Sequence, residues 1–187
     1  MDIQEYLPTV SNYTLIDVTS VATSAFVVRG GAIMGHADAK IGWRAVLTEL
    51  AAIHGTTPAE ALSRVRMVVE DVCTNELCQS VLQALSKIEP KFVDAYGGMF
   101  SELIKDKKVP ATVILITPPE LGIWFSNILS RIDFSQFTIS EQLFSVHQLH
   151  EEHLVKKTEI ITTLTQDAGI AAAAAFMHIR ARDKTLK

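Results

Sequence analysis

The sequence is short of several things that would place a protein at once. Cysteine occurs only as Cys73 and Cys78. They have neither CxxC spacing nor the company of a four-ligand zinc set. A multi-disulfide scaffold is excluded, and the pair reads as reduced thiols on a helix of a cytosolic protein. Basic residues are in the minority, 17 Lys and Arg against 21 Asp and Glu, for a net charge of −4 and a pI near 5.8. Without a cationic surplus to neutralise phosphates, and with aromatics at 7%, nucleic acid is not an expected partner. No apolar run reaches the roughly 20 residues that cross a bilayer. The longest, residues 168–177, is half that, so direct membrane insertion is not expected. The acidic start Met1-Asp2-Ile3-Gln4-Glu5 lacks a signal-peptide pattern. No P-loop, Gly-x-Ser-x-Gly elbow or dinucleotide fingerprint occurs. The paired glycines Gly30-Gly31 and Gly97-Gly98 have no phosphate-loop context.

What is present is a chain of 187 residues with 48% hydrophobic and 20% charged residues, a globular composition of one-domain size. Residues 1–12 read as a lead-in and 13–187 as a single domain. Residues 13–18 and 23–29 are short, β-branched and apolar, as buried strands are. Gly30-Gly31 is a hairpin turn, and residues 32–37 return as a third strand. Val46, Leu47, Leu50 and Ile53 then make one helix face, closed by Gly55. Thr57-Pro58-Ala59-Glu60 is a capping box with proline at the first helical position. A long helix follows from about Asn75, where Glu89-Pro90 is expected to kink or interrupt it. Residues 111–117 (ATVILIT) are apolar without alternation, as in a central strand covered on both faces. Residues 120–132 form another helix, 134–139 an edge strand, and 143–149 are ambiguous. Residues 168–179 read as a final helix. The order β-β-β-α-α-α-β-α-(β)-α indicates an α/β fold with a mixed sheet.

That order, together with particular residues, resembles the second half of an actin-like ATPase. The similarity is to the bacterial branch with the cell-division and type IV pilus assembly proteins, and it covers about residues 13–180. The run from Leu15 to Val28 looks like the family's second phosphate loop, with Asp17 and Thr23 at its Asp and Thr. Thr19, Ser20 and Val21 stand where that loop has glycines. Gly30-Gly31 matches the family's hairpin turn. Ala39-Lys40-Ile41-Gly42 resembles an apolar-Gly-Gly helix entry, with Trp43 in place of the second glycine. Glu60 matches the Glu of an Ala-Glu-x-apolar-Lys run whose Glu and Lys reach the nucleoside, but Ser63 replaces the Lys. After the strand at 112–116, Thr117-Pro118-Pro119-Glu120 stands where the family has a Gly-Gly loop against adenosine.

These departures have physical consequences. Glycine supplies positive φ and lets backbone N–H groups approach phosphate, whereas proline fixes φ and donates nothing. The resemblance therefore implies an RNase H-like fold whose ligand contacts have been replaced. It implies a non-catalytic scaffold for protein partners in a membrane-associated bacterial assembly, such as a pilus, secretion or division machine. The resemblance further implies a cytoplasmic location at the inner face of the membrane, with homo-oligomers an open option and no cofactor required. The alternative is an ATP-binding switch or ATPase with an atypical loop, in which Asp17, Thr19, Thr23 and Glu60 contact ATP and Mg²⁺. A complete actin-like ATPase clamps nucleotide between two such halves, and this chain has room for one.

Other residues carry a second reading each. Asp17 suits a general base, a Mg²⁺ contact or a turn cap. His147, His150 and His153 would share one side of a helix and could hold a metal, or form a polar face that titrates near pH 6.5. Glu70 and Asp71 are adjacent on a helix and diverge toward solvent. Trp43 and Trp124 are candidate anchors of a protein interface, or else core.

Overall fold

The computed structural model describes residues 11–104 and 108–149. The lead-in up to residue 10, the final helix at 168–179, and His150 and His153 lie outside the described residues.

The sheet is built around two strands that the sequence makes apolar. Strands β1 (Asn12–Val18), β2 (Thr23–Arg29) and β3 (Ala32–Ala39) form the expected meander. Its second turn uses positive φ at both Gly30 (55°) and Gly31 (78°), which glycine adopts without penalty. Strand β4 (Thr112–Ile116) inserts beside β1 and parallel to it, and β5 (Ser145–Gln148) adds parallel to β4. The strand order is β3-β2-β1-β4-β5, with β2 alone running against the others. That order and polarity define the RNase H-like fold expected from the sequence.

Four helices supply the cover: α1 (Trp43–His54), α2 (Pro58–Val69), α3 (Asn75–Leu103) and α4 (Pro119–Arg131). Helix α1 ends on Gly55 in the left-handed conformation. Helix α2 begins with the full capping box: the Thr57 side chain accepts from the Glu60 N–H, and the Glu60 carboxylate accepts from the Thr57 N–H. The buried residues of all four helices meet Ile16, Val18, Ala25, Val27, Val113 and Leu115 from one face of the sheet in a single core. Phe92 and Phe100 are at its centre, both fully buried. Phe92 stands edge-on to Tyr96, Trp124 and Phe125, and Phe100 contacts Phe134, Phe137 and Phe144.

Several expectations are corrected. Cys73 and Cys78 are joined in a disulfide, with Cα atoms 5.8 Å apart, so they are not free thiols. Cys73 precedes the α3 cap at Thr74, and the cap turn folds it back toward Cys78 in the helix. Pro90 does not interrupt α3, which runs through it. Pro90 and Ser86, whose carbonyl loses its helical donor, are both on the exposed side, where water can satisfy that carbonyl. Residues 134–139 are not a strand. They form a 3-10 turn (Ser135–Phe137) held by the Phe100 cluster, with one bridge from Thr138 to Val109. The edge strand is β5 instead, and His147 lies on it rather than on a helix. Asp71 is past the end of α2 with φ at 55°, though both it and Glu70 are exposed as expected.

Candidate functional site

In an open α/β sheet, ligands favour the rim at the C-terminal ends of parallel strands. Here that rim holds the turn after β1 and the segment after β4, since Asp17 pairs in register with Ile116. Asp17 is half-buried at the penultimate position of β1, on the face opposite the helices.

The turn after β1 closes on itself. The Thr19 N–H donates to the Ala22 carbonyl at 2.9 Å, as does the Thr19 hydroxyl, which also accepts from the Ala22 N–H. No residue from Thr19 to Ala22 has positive φ. The turn has thus adopted a shape for which glycine is unnecessary, and Val21 projects from it, 67% exposed.

The same turn seals the start of α1. The Trp43 N–H donates to the Thr19 carbonyl at 3.0 Å, and the Arg44 N–H to the Ser20 carbonyl at 3.2 Å. The first N–H groups of a helix are its natural anion-binding donors, and these two are already taken. The approach depends on Gly42, because a Cβ there would overlap the Thr19 carbonyl and the backbone of Ser20 and Val21. Gly42 is itself in extended backbone, so it is kept for closeness rather than for φ.

Thr23 is fully buried beneath this corner. Its hydroxyl donates to the Ile41 carbonyl at 2.8 Å and lies 3.4 Å from the Tyr96 hydroxyl. Burial pushes the Tyr96 phenol well above its ordinary range, opposed by the Thr23 contact. Thr23 therefore ties β2 to the helix entry and to α3.

The segment after β4 is equally poor in donors. Pro118 caps α4 and Pro119 opens it, and neither has an N–H. Glu120 adds a negative charge in the first turn, engaged by Arg66 of α2 at 2.7 and 2.9 Å. The Thr117 hydroxyl and the Trp124 indole N–H are buried without a protein hydrogen-bond partner.

Among the sequence candidates, the structure groups Asp17, Thr19, Thr23 and Trp43 at one corner. Glu60 is not with them. It begins α2, which follows α1 after a short turn, so it stands beyond the far end of a 12-residue helix, about 18 Å along its axis. Its carboxylate is spent on the Thr57 N–H and hydroxyl, which hold it below the usual carboxylate range. Trp43 and Trp124 are both partly buried and packed against the main core, and the Trp124 ring stands edge-on to Phe92 and Phe125. Among the described residues no cluster of three His, Cys, Asp or Glu could hold a metal, and no helix is long and apolar enough to cross a membrane. Sequence reasoning missed the helix-sealing role of the Thr19 and Ser20 carbonyls. The signal for it was Gly42 followed by a helix start, because a glycine at a strand-to-helix corner marks a close backbone approach.

The site is thus the rim of an RNase H-like sheet in which the turn after β1 holds the first two N–H groups of α1. No protein-family model matches the chain, and no curated protein does. Solved structures similar to it include the ethanolamine utilization protein EutJ from Carboxydothermus hydrogenoformans, with 18% identity over 76% of this chain and a TM-score of 0.43. A PilM–PilN type IV pilus biogenesis complex matches with 10% identity over 76% and a TM-score of 0.47. Component A of the (R)-2-hydroxyglutaryl-CoA dehydratase of Acidaminococcus fermentans matches with 12% identity over 79% and a TM-score of 0.45. The chain spans 46%, 36% and 58% of those three chains, less than two thirds of each.

Proposed function

We propose that the chain is a non-catalytic actin-like scaffold domain with nucleotide binding weak or lost. The observation that carries this reading is the occupied helix start: the Thr19 and Ser20 carbonyls hold the Trp43 and Arg44 N–H groups at the corner where the sequence resemblance would place phosphate. The buried Thr23, the inward-turned Thr19 hydroxyl and the donor-free Pro118-Pro119 segment support it too. An exposed valine in place of a phosphate-loop glycine gives the corner an apolar surface suited to a protein partner. Trp43 is the neighbouring anchor, and Trp124 serves the same purpose on α4. The assembly is membrane-associated and bacterial, at its cytoplasmic side, as the sequence resemblance implies.

The test is thermal unfolding of the purified chain with and without millimolar Mg²⁺–ATP, followed by equilibrium titration. A ligand at 100 times its dissociation constant adds about 2.7 kcal/mol of stability. No shift in midpoint is the expected result. A micromolar dissociation constant that Asp17→Ala abolishes without unfolding the domain would replace the scaffold reading with an ATP-dependent switch.

A further inference from the structure

Helices α2 and α3 are fastened at their starts in different ways. Helix α2 begins with the Thr57–Glu60 box. Helix α3 also has a threonine cap in extended backbone, Thr74, but its side chain makes no capping bond. Leu77 stands where Glu60 stands in α2, so no reciprocal box can form. The first N–H groups of a helix have no partner within it, and here no capping side chain supplies one. The tie is covalent instead: Cys73, just before the cap, is bridged to Cys78 at the end of the first turn.

The bridge sits where its loss stays local. Val65 and Val81 are buried in the core, but none of residues 66–80 between them is. Val68 and Leu77 pack against the core only in part. The end of α2 has a backbone lock of its own. The Val72 N–H donates to the Met67 carbonyl at 3.0 Å and the Asp71 N–H to the Val68 carbonyl at 3.3 Å, with Asp71 in the left-handed conformation that closes such ends. Neither cysteine is buried, and thiol–disulfide exchange depends on such access. The two are five positions apart, so the chain keeps the second sulfur near the first after the bond opens. A nearby resolving cysteine is what lets a mixed disulfide close again.

We propose that Cys73 and Cys78 are a reversible redox switch for the α2–α3 junction, opened and closed by exchange with small-molecule thiols and their disulfides. On opening, an external thiolate attacks one Sγ. The Sγ–Sγ bond breaks, and the other cysteine leaves as a thiolate that takes up a proton. A second external thiolate attacks the outer sulfur of this mixed disulfide and releases the first cysteine in the same way. The chain gains two electrons and two protons, and two external thiols leave as one disulfide. Closure is the reverse. The bridged state clips the first turn of α3. The reduced state lets that turn fray, while the core and the end of α2 keep their structure. The switch goes beyond the scaffold reading and stands whether or not that reading does.

The test uses the full chain in buffers of reduced and oxidised glutathione at fixed pH. Cys73 and Cys78 are the chain's two cysteines, so alkylation and mass spectrometry report on this pair alone. The expected result is one transition, at the same thiol-to-disulfide ratio from either side, with circular dichroism and elution volume unchanged across it. Hydrogen exchange then reads the conformation. The Cys78 N–H, bonded to the Thr74 carbonyl, and the Gln79 and Ser80 N–H groups are the first protected within α3. On reduction they should exchange about tenfold faster, as a fraying turn does, while Val72 and residues 81–85 do not change. The double variant Cys73→Ser, Cys78→Ser should show the reduced pattern in either buffer. Four results would each overturn the proposal: a bridge that opens only in denaturant, a reduced chain or double variant that fails to fold, reoxidation that links two chains, or exchange at 78–80 that ignores the redox state.

Discussion

The helix-covered core and the corner after β1 are joined by Thr23, but they follow different rules. In the core the side chains carry the structure. Phe92 is fully enclosed and touches Tyr96, Trp124 and Phe125 edge-on, and volume decides what fits. At the corner the backbone carries it: two carbonyls, two helix N–H groups and a glycine with no room for a Cβ. The side chains there carry little of the structure: Val21 is 67% exposed. Side-chain volume holds the five-stranded sheet to its helices, while backbone hydrogen bonds set the shape of the rim.

The comparison breaks most visibly from the core side. Phe92→Ala leaves a large cavity among three aromatic rings and is expected to cost about 3–5 kcal/mol. For a chain of this size that lowers the thermal midpoint by roughly 6–20 °C. A loss below about 1 kcal/mol in denaturant titration would mean that the aromatic cluster is not the organising core.

Gly42→Ala probes the corner through its backbone. The new Cβ meets main chain rather than a flexible side-chain end, so the turn at Thr19–Val21 must move away and the two bonds to α1 weaken. Overpacking of this kind costs about 1–3 kcal/mol. The amide signals of Trp43 and Arg44 should shift strongly in an NMR spectrum, while those of β4 stay in place. An unchanged midpoint and spectrum would show that the turn does not rest on the helix start.

Much of this was legible in the sequence. Strand β2, the Gly30-Gly31 turn, the Thr57–Glu60 box and the Gly55 stop are local events, written in residues a few positions apart. What was not legible depends on distant partners. Strand β5 is four residues of mixed polarity, SVHQ, and exists because β4 offers it an open edge. Residues 134–139 alternate like a strand, but Phe134 and Phe137 turn toward Phe100, 34 and 37 positions earlier, and the backbone tightens to 3-10 to let them. Pro90 stays in α3 because the face it disrupts is the wet one. The Cys73–Cys78 bridge needed the cap turn at Thr74, which spacing alone does not reveal. At the corner the lack of glycine from Thr19 to Ala22 was plain, but that the Thr19 and Ser20 carbonyls hold the helix start was not. Backbone partners leave no mark on side-chain identity except at Gly42.

The smallest effect sharpens the comparison most. Val21→Gly restores the residue type that a phosphate loop would have, at a position that is exposed and not in the left-handed region. In the folded state it removes only a solvated side chain, while it gives the unfolded chain more freedom, a cost of about 0.4–1 kcal/mol. If glycine content alone decided nucleotide binding, the variant would gain some. It is expected to gain none, because the donors at the start of α1 remain bonded to Thr19 and Ser20 whatever side chain stands at 21. A small drop in midpoint that Mg²⁺–ATP does not reverse is the predicted outcome. Recovery of the midpoint at millimolar nucleotide would show that the corner opens readily, and that side chains rather than backbone keep phosphate out.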